Sequence, residues 1–173
     1  MYSLNVPVPT DVARTASDFV DELPAARARP RGEHTLTVKR LGRDTATPYA
    51  RLETRVRELL SDQPAFEARV TGIDLFPDPP AGPGPVVYLT VESPPLRALH
   101  RRLASAFDPV EGLEGDSYVP HVTVARGGSM KRAEALAKRP IDPVTWDVTQ
   151  LVFWDAERSQ PVSRLSLPAH GRA

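Results

Sequence analysis

Hydrophobic residues along the chain alternate with polar ones in some segments and recur every three to four residues in others. Alternation predicts a β-strand, whereas the longer period predicts an amphipathic helix. Strands are predicted over residues 2–8, 34–42, 66–75, 87–91, 118–126, 145–154 and 162–167. Helices are predicted after Thr10, over residues 49–60 and 94–107, and after Ser129; their amino-terminal ends carry Thr10, Thr47, Ser93 and Ser129. A change of parity at Gly72 predicts a β-bulge in the third strand.

The order of these elements is β-α-β-α-β-β-α-β-α-β-β, which suggests two related halves. Each half contains a strand that carries a histidine, His34 or His121, and that lies between two helices. Interleaved helices and strands predict an α+β fold with one free sheet face. We therefore expect residues 1–173 to form a single domain of two related β-α-β lobes. Their antiparallel sheets would form a concave central groove, with the helices on the outside.

Composition narrows the classes of function. The 173 residues include 22 basic and 22 acidic side chains, so no overall field attracts a polyanion, which would have to be bound locally. Cysteine is absent, which excludes disulfides, thiolate metal sites and cysteine nucleophiles. No segment approaches the ~18 consecutive apolar residues of a membrane span, and the first residues do not have the pattern of a leader peptide. We expect a cytoplasmic, monomeric protein.

Two strands carry the candidate chemistry. In the segment 118–126, YVPHVTVAR, alternate side chains share a face. Val122 and Val124 are therefore expected in the core, with His121, Thr123 and Ala125 on the opposite face. A second histidine opens the segment 34–42, HTLTVKRLG. Two imidazoles in one groove can accept and donate protons, which the cleavage of a phosphoester bond requires.

These two segments resemble the motifs of the two-histidine phosphoesterases, and within them the 2'-5' RNA ligases and RNA 2',3'-cyclic phosphodiesterases. Residues 120–126, PHVTVAR, match the second motif of that branch, Pro-His-hydrophobic-Thr-hydrophobic-Ala-Arg, at every position. Residues 37–42, TVKRLG, resemble the end of its first motif, His-x-Thr-Leu-Lys-Phe-Leu-Gly. The order of elements fits the family over nearly the whole chain.

The first motif departs from the family pattern in its register. When Thr37 is aligned with the motif threonine, Thr35 falls on the histidine of the family and His34 lies one residue too early. In an unbroken strand His34 would point to the core. We therefore expect a β-bulge near residues 34–36 that turns the imidazole back to the groove, with Leu36 and Val38 buried. The alternative is that the first histidine has been lost.

The resemblance implies metal-independent hydrolysis of RNA 2',3'-cyclic phosphate ends to 2'-phosphomonoesters, with reverse 2'-5' RNA ligation as a further activity. His34 and His121 would be the catalytic residues, with His121 accepting a proton and His34 donating one. Thr37, Thr123 and Arg126 would bind the phosphate. The expected partners are RNA ends or nucleotide 2',3'-cyclic phosphates, and no membrane. Neither a cofactor nor a metal is expected.

Two other functions stay open at this stage: hydrolysis of another small cyclic phosphate, such as ADP-ribose cyclic phosphate, and noncatalytic binding of an RNA end or nucleotide. Candidate cations at the rim of the groove are Arg126, Lys39, Arg40, Arg43, Lys131 and Arg132. Candidate stacking residues are Tyr88, Tyr118 and Trp154. His100 and His170 are expected to take no part in the chemistry.

Overall fold

The computed structural model describes residues 1–30, 32–42 and 47–169, which excludes Arg43 and His170. The strands are β1 (Tyr2–Pro7), β2 (Arg27–Ala28), β3 (Thr35–Leu41), β4 (Phe66–Phe76), β5 (Val86–Glu92), β6 (His121–Arg126), β7 (Val144–Val148), β8 (Gln150–Asp155) and β9 (Gln160–Ser166). The helices are α1 (Thr10–Asp18), α2 (Tyr49–Leu59), α3 (Pro94–Ala106) and α4 (Met130–Ala137). The predicted α+β class is confirmed.

The strands form one curled antiparallel sheet, a half-barrel, in the order β7-β4-β5-β6-β3-β1-β8-β9, with β2 paired to β6. One half of the sheet contains β4 to β7, and the other contains β1, β3, β8 and β9. The two halves meet where Leu36 of β3 pairs with Val122 of β6. The centre of the sheet is therefore built from the two strands that carry the sequence motifs.

The helices pack against one face of this sheet, and the opposite face lines the groove. Buried helix residues join Leu36, Val38, Val122 and Val124 of the central strands in a single core. The helix residues in that core include Val12, Ala16, Leu52, Val56, Leu96, Leu99, Leu103, Ala133 and Leu136. The predicted burial of Leu36 and Val38 is confirmed, since both are fully buried.

Local features of the sequence account for several boundaries. The β4–β5 register shifts between Val70 and Gly72, which confirms the predicted bulge. Ser93 and Ser129 accept hydrogen bonds from the backbone of their helices, as expected of N-caps. Helices α1 and α2 have no such side-chain cap, because Pro9 and Pro48 occupy the capping positions instead of Thr10 and Thr47.

Two strands differ from the prediction. The single strand predicted over residues 145–154 is divided into β7 and β8, because β7 pairs with β4 and β8 pairs with β1, in opposite halves of the sheet. Strand β2 has only two residues, too few for an alternating pattern to reveal. Its position beside β6 matters for the site described next.

Candidate active site

The two central strands share an internal repeat that alternation alone does not show. Each contains a bulge: the β1–β3 register skips Val38, and the β5–β6 register skips Val124. Each bulge places two consecutive residues on the core face before the alternation resumes. In β6 these residues are Val124 and Ala125, so the expectation that Ala125 faces the groove is wrong. As a result, β3 and β6 show the same burial pattern from Thr35 and His121 onward.

This repeat makes three pairs of positions equivalent. Thr35 corresponds to His121, Thr37 corresponds to Thr123, and Arg40 corresponds to Arg126. The antiparallel pairing of Leu36 with Val122 also sets Thr37 beside His121 and Thr35 beside Thr123. In the described part of the chain, the two central strands thus contribute one imidazole and three threonine hydroxyls to the centre of the groove.

His34 does not lie in this groove, and the expected bulge at residues 34–36 is wrong. The bulge of β3 lies at Val38, and His34 precedes the strand with only 5% of its surface exposed. Its ring contacts a cavity shared with residues of helix α1, and its Nδ1 lies 3.3 Å from the Thr123 carbonyl oxygen. Burial lowers the pKa of His34, so the ring is neutral at pH 7. Neither its position nor its charge suits the proton donor that the first motif implied.

The prediction for Lys39 is also wrong. It was expected on the rim, but the bulge at Val38 turns it to the core face, where its exposed fraction is 0%. Its ammonium lies 2.6 Å from Glu114 Oε2 and also donates to the carbonyl oxygens of Arg40 and Asp108. Lys39 is therefore part of a buried ion pair and not a cation of the groove.

His121 lies in the groove with a defined tautomer. Its Nδ1 lies 2.7 Å from the Val119 carbonyl oxygen, which only accepts hydrogen bonds, so Nδ1 carries the proton and donates it. Phe76 and Tyr88 pack against the ring at centroid distances of 5.3 and 5.1 Å. Nε2 is then left with its lone pair. Burial lowers the pKa of His121, and the charges of nearby arginines lower it further.

Among residues 1–30, 32–42 and 47–169, three arginines supply positive charge around His121. Arg40, Arg126 and Arg29 all depress the pKa of the imidazole, and Arg29 and Arg40 also depress that of Arg126 after the effect of burial. Like charges held this close together favour a bound anion. Arg126 was predicted as a phosphate-binding residue from the second motif, and Arg40 was predicted as a cation at the rim of the groove. Arg29 was not predicted, because it is positioned by β2 and by a hydrogen bond from its own N–H to the Val124 carbonyl.

These residues line two adjoining cavities. The histidine cavity, of about 220 Å³, is lined by His121, Thr37, Arg40, Arg126, Phe76 and Tyr118 together with neighbouring loop residues. The asparagine cavity, of about 250 Å³, is lined by Asn5, Ser3, Thr37, Arg29, Arg40 and Arg126 among others. Thr123 lines a third cavity, of about 290 Å³, together with Arg29 and Arg126.

A buried network behind the groove positions Thr37 and Arg40, and the sequence did not reveal it. Glu114 accepts hydrogen bonds from the Arg40 backbone N–H at 2.7 Å and from Lys39, and it lies 3.5 Å from the Arg40 guanidinium. Tyr118 is buried and donates its hydroxyl to the Thr37 carbonyl at 2.8 Å. Tyr118 therefore holds the backbone of Thr37 in place at the wall of the histidine cavity. Its ring stacks on His100, which is itself buried in the core.

The remaining candidates have varied positions. Tyr88 is buried against His121, and Trp154 is half-buried at the edge of the asparagine cavity. Lys131 and Arg132 are exposed at the start of α4 and line neither cavity of the groove.

Within residues 1–30, 32–42 and 47–169, no three His, Asp or Glu side chains lie close enough together to hold a metal ion. None of the described helices is long and apolar enough to cross a membrane.

Comparison with known proteins assigns the chain to a family. The sequence profile of the 2'-5' RNA ligase superfamily matches residues 12–160, which is most of the chain. The chain belongs to the 2'-5' RNA ligase superfamily. No curated protein sequence matches this superfamily member.

Solved structures share the fold of this 2'-5' RNA ligase superfamily member at low sequence identity. Escherichia coli LigT complexed with 3'-AMP has a TM-score of 0.63 and 20% identity, over 96% of this chain and 97% of that one. The ATP complex of the same protein has a TM-score of 0.60 and 20% identity, over 96% of each chain. TT0787 of Thermus thermophilus has a TM-score of 0.58 and 19% identity, over 97% and 98% of the two chains.

Proposed function

We propose that the groove binds the phosphate of an RNA end or nucleotide and that His121 hydrolyses a 2',3'-cyclic phosphate there. The observation that carries the proposal is the Nε2 lone pair of His121. The Nδ1 bond to Val119 fixes that lone pair, and three arginines favour an anion beside it. A neutral imidazole held in one tautomer next to a bound anion is the arrangement that a general base needs.

The reaction follows from the positions of these groups. The guanidinium groups of Arg40 and Arg126 and the hydroxyl of Thr37 bind the nonbridging phosphate oxygens. His121 Nε2 takes a proton from water, and the water oxygen forms a bond to phosphorus as the bond from phosphorus to the 3' oxygen breaks. The 3' oxygen takes a proton and becomes a hydroxyl, which leaves a 2'-phosphomonoester. No metal or cofactor takes part in these steps.

The departing oxygen is protonated differently from the mechanism that the resemblance implied. Thr35 occupies the position equivalent to His121, and His34 lies on the far side of the sheet. Among the described residues of the groove there is no second imidazole. The leaving group therefore takes its proton from water, and the arginines stabilise its negative charge, which makes the reaction slower than with two imidazoles.

The same observation favours a second candidate function. A groove with the anion site intact and a threonine in place of one imidazole also suits a noncatalytic binder of RNA ends or nucleotides. The two functions share the ligand and differ in turnover, so they can be separated in one protein preparation.

The test is the hydrolysis of adenosine 2',3'-cyclic monophosphate with a metal chelator present, together with the binding of adenosine 2'-monophosphate. We expect slow turnover to the 2'-phosphate, reduced by about 10²–10⁴-fold in His121→Ala and unchanged in His34→Phe. Binding without turnover would establish the noncatalytic binder. Absence of both would contradict the proposal. The same assay with ADP-ribose cyclic phosphate compares the two substrate classes.

A further inference from the structure

Asn5 lines the asparagine cavity and carries a buried acceptor that nothing in the described part of the protein satisfies. In β1 the side chains of Leu4 and Val6 join the core, whereas Ser3 and Asn5 face the groove. Asn5 is only 2% exposed and donates from Nδ2 to Thr35 Oγ1 at 3.3 Å. Its Oδ1 has no hydrogen-bond partner among the described residues. A buried polar atom without a partner is destabilising, so a ligand that supplies one gains affinity.

The chemistry of the cavity restricts what this ligand group can be. Oδ1 only accepts hydrogen bonds, so its partner must be a donor. A phosphate dianion offers acceptors alone, and in the same cavity it would bind Arg29, Arg40 and Arg126. The ligand that satisfies both parts of the asparagine cavity therefore carries an anionic phosphate and, beside it, a hydroxyl donor.

We infer that the Asn5–Thr35 pair is a subsite for the free ribose hydroxyl next to the phosphate of a ribonucleotide. This inference rests on the proposed function and concerns its 2'-monophosphate product, in which the 3' hydroxyl is free, because both oxygens of the 2',3'-cyclic substrate are bound to phosphorus. Thr35 occupies the position equivalent to His121, and Asn5 Nδ2 holds its hydroxyl in place. The carboxamide oxygen then accepts the ribose hydroxyl. This half of the groove thus recognises RNA-type sugars.

The test compares ligands that differ by one hydroxyl. Binding is measured by calorimetry for adenosine 3'-monophosphate against 2'-deoxyadenosine 3'-monophosphate, and for adenosine 2'-monophosphate against its 3'-deoxy analogue. The native protein should favour the hydroxylated member of at least one pair by about tenfold, as a hydrogen bond to a buried acceptor implies. In Asn5→Leu and Asn5→Ala this preference should disappear.

Asn5→Asp serves as the matched control, since it keeps an acceptor at the same place. We expect this variant to retain the preference for the hydroxylated ligand. Its added negative charge should weaken the binding of every phosphate ligand. Thermal melting checks that each variant is folded, and Asn5→Leu should be at least as stable as the native protein because it removes an unsatisfied acceptor.

The outcomes separate this inference from the proposed function. Equal binding of both members of each pair by the native protein overturns the hydroxyl subsite but leaves the phosphate site standing. An equal loss of affinity for both members in Asn5→Leu also overturns it, because the amide would then contact the phosphate or the base. Failure of every monophosphate to bind overturns the phosphate site and the subsite with it.

Discussion

Thr35 and His121 occupy equivalent positions in the two strands that meet at the centre of the sheet. Both begin the same burial pattern, and both lie three residues before a bulge, at Val38 in β3 and at Val124 in β6. The groove therefore has an internal twofold repeat in its backbone that its side chains break at one position. That asymmetry gives the site one imidazole and determines how its chemistry can be tested.

Thr35→His places an imidazole where the repeat predicts one. We expect this variant to hydrolyse adenosine 2',3'-cyclic monophosphate faster than the native protein, by about 10²-fold or more. The new ring can protonate the departing oxygen, and general acid catalysis contributes about 10²–10⁴ in rate. Steady-state kinetics of product formation measures the effect.

The control for this gain is the double variant Thr35→His with His121→Ala, which has one imidazole on the other strand. It should lose most of the increase, since the two rings act together. An unchanged rate in Thr35→His, with the fold intact by circular dichroism, would count against the equivalence of the two positions.

The pH dependence of turnover reports on the number of imidazoles. Burial and the neighbouring arginines lower the pKa of His121. As a general base it acts in its neutral form, so the rate should fall as the pH drops below that pKa and stay level above it. With two imidazoles of opposite protonation the profile would be bell-shaped instead. A fall in rate above neutral pH in the native protein would indicate a second titrating group and contradict a site with one imidazole. A fall that appears only in Thr35→His would support it.

The sequence predicted the fold and one half of the site well. Alternation and capping signals located the long elements, since they depend on local contacts. His121, Thr37, Thr123 and Arg126 all line the groove, as the resemblance implied. The strand period predicted the first three correctly, but it put Ala125 on the groove face where the bulge at Val124 puts Arg126.

The prediction for the first motif was wrong because a bulge reverses which face of the sheet every later residue of the strand points to. The pattern around His34 allowed a bulge anywhere in the strand, and its true position at Val38 sends Lys39 to the core and Arg40 to the groove. Glu114 is distant in sequence, so no local signal ties it to β3. Aligning the two motifs residue by residue identifies Arg40 as the equivalent of Arg126, because each follows its motif threonine by three residues.

The buried pair of Lys39 and Glu114 should respond unequally to loss of either partner. Burial alone raises the pKa of Glu114, but hydrogen bonds from Lys39, Arg40 and Val110 outweigh it and hold that pKa below its usual value. Glu114→Ala leaves the Lys39 ammonium without a countercharge and should reduce the free energy of unfolding by about 3–5 kcal/mol. Lys39→Met should cost less, since the carboxylate keeps its backbone donors.

Urea unfolding of the two variants measures this order. The double variant Lys39→Met with Glu114→Leu removes both charges and should recover part of the loss from Glu114→Ala. If Lys39→Met proves as costly as Glu114→Ala, the backbone N–H groups do not stabilise the carboxylate as described.

His100 should make the protein less stable in mild acid. Its Nδ1 donates to the Val38 carbonyl at 2.7 Å, and its Nε2 accepts from the Gly115 N–H at 2.9 Å, so a second proton would break the latter bond. Burial lowers the pKa of His100 below that of the unfolded chain, about 6.5. Between those values the unfolded chain binds more protons, so stability falls as the pH drops through about 6.5.

The pH dependence of unfolding tests this origin. The pKa values of His34 and His121 are lowered in the same direction, so these two histidines contribute to the native slope as well. His100→Gln should be less stable at pH 7.5 and show a shallower loss between pH 7 and pH 5. A slope equal to that of the native protein would show that His100 protonation does not contribute.

Arg29 and Arg126 should control both the anion affinity and the basicity of His121. Their charges lower the pKa of the imidazole, after the larger effect of burial, so Arg29→Ala and Arg126→Ala should each raise that pKa. Titration of the His121 ring protons by NMR measures the change. Arg14→Ala is the matched control, because Arg14 pairs with Asp11 and lines a cavity with His34 on the other side of the sheet.

The same variants should weaken nucleotide binding with little dependence on ligand length. The chain has no net charge and Lys39 is buried, so among the described residues we expect Arg29, Arg40 and Arg126 to attract the phosphate. A ligand that places one or two phosphates there gives a shallow salt dependence, with a slope of about −0.7 per contacted phosphate on a single strand. Arg126→Ala should reduce that slope. It should also weaken the binding of a mononucleotide and of a long oligonucleotide by the same factor. A steep gain in affinity with oligonucleotide length, retained in Arg126→Ala, would instead require an RNA-binding surface outside the groove.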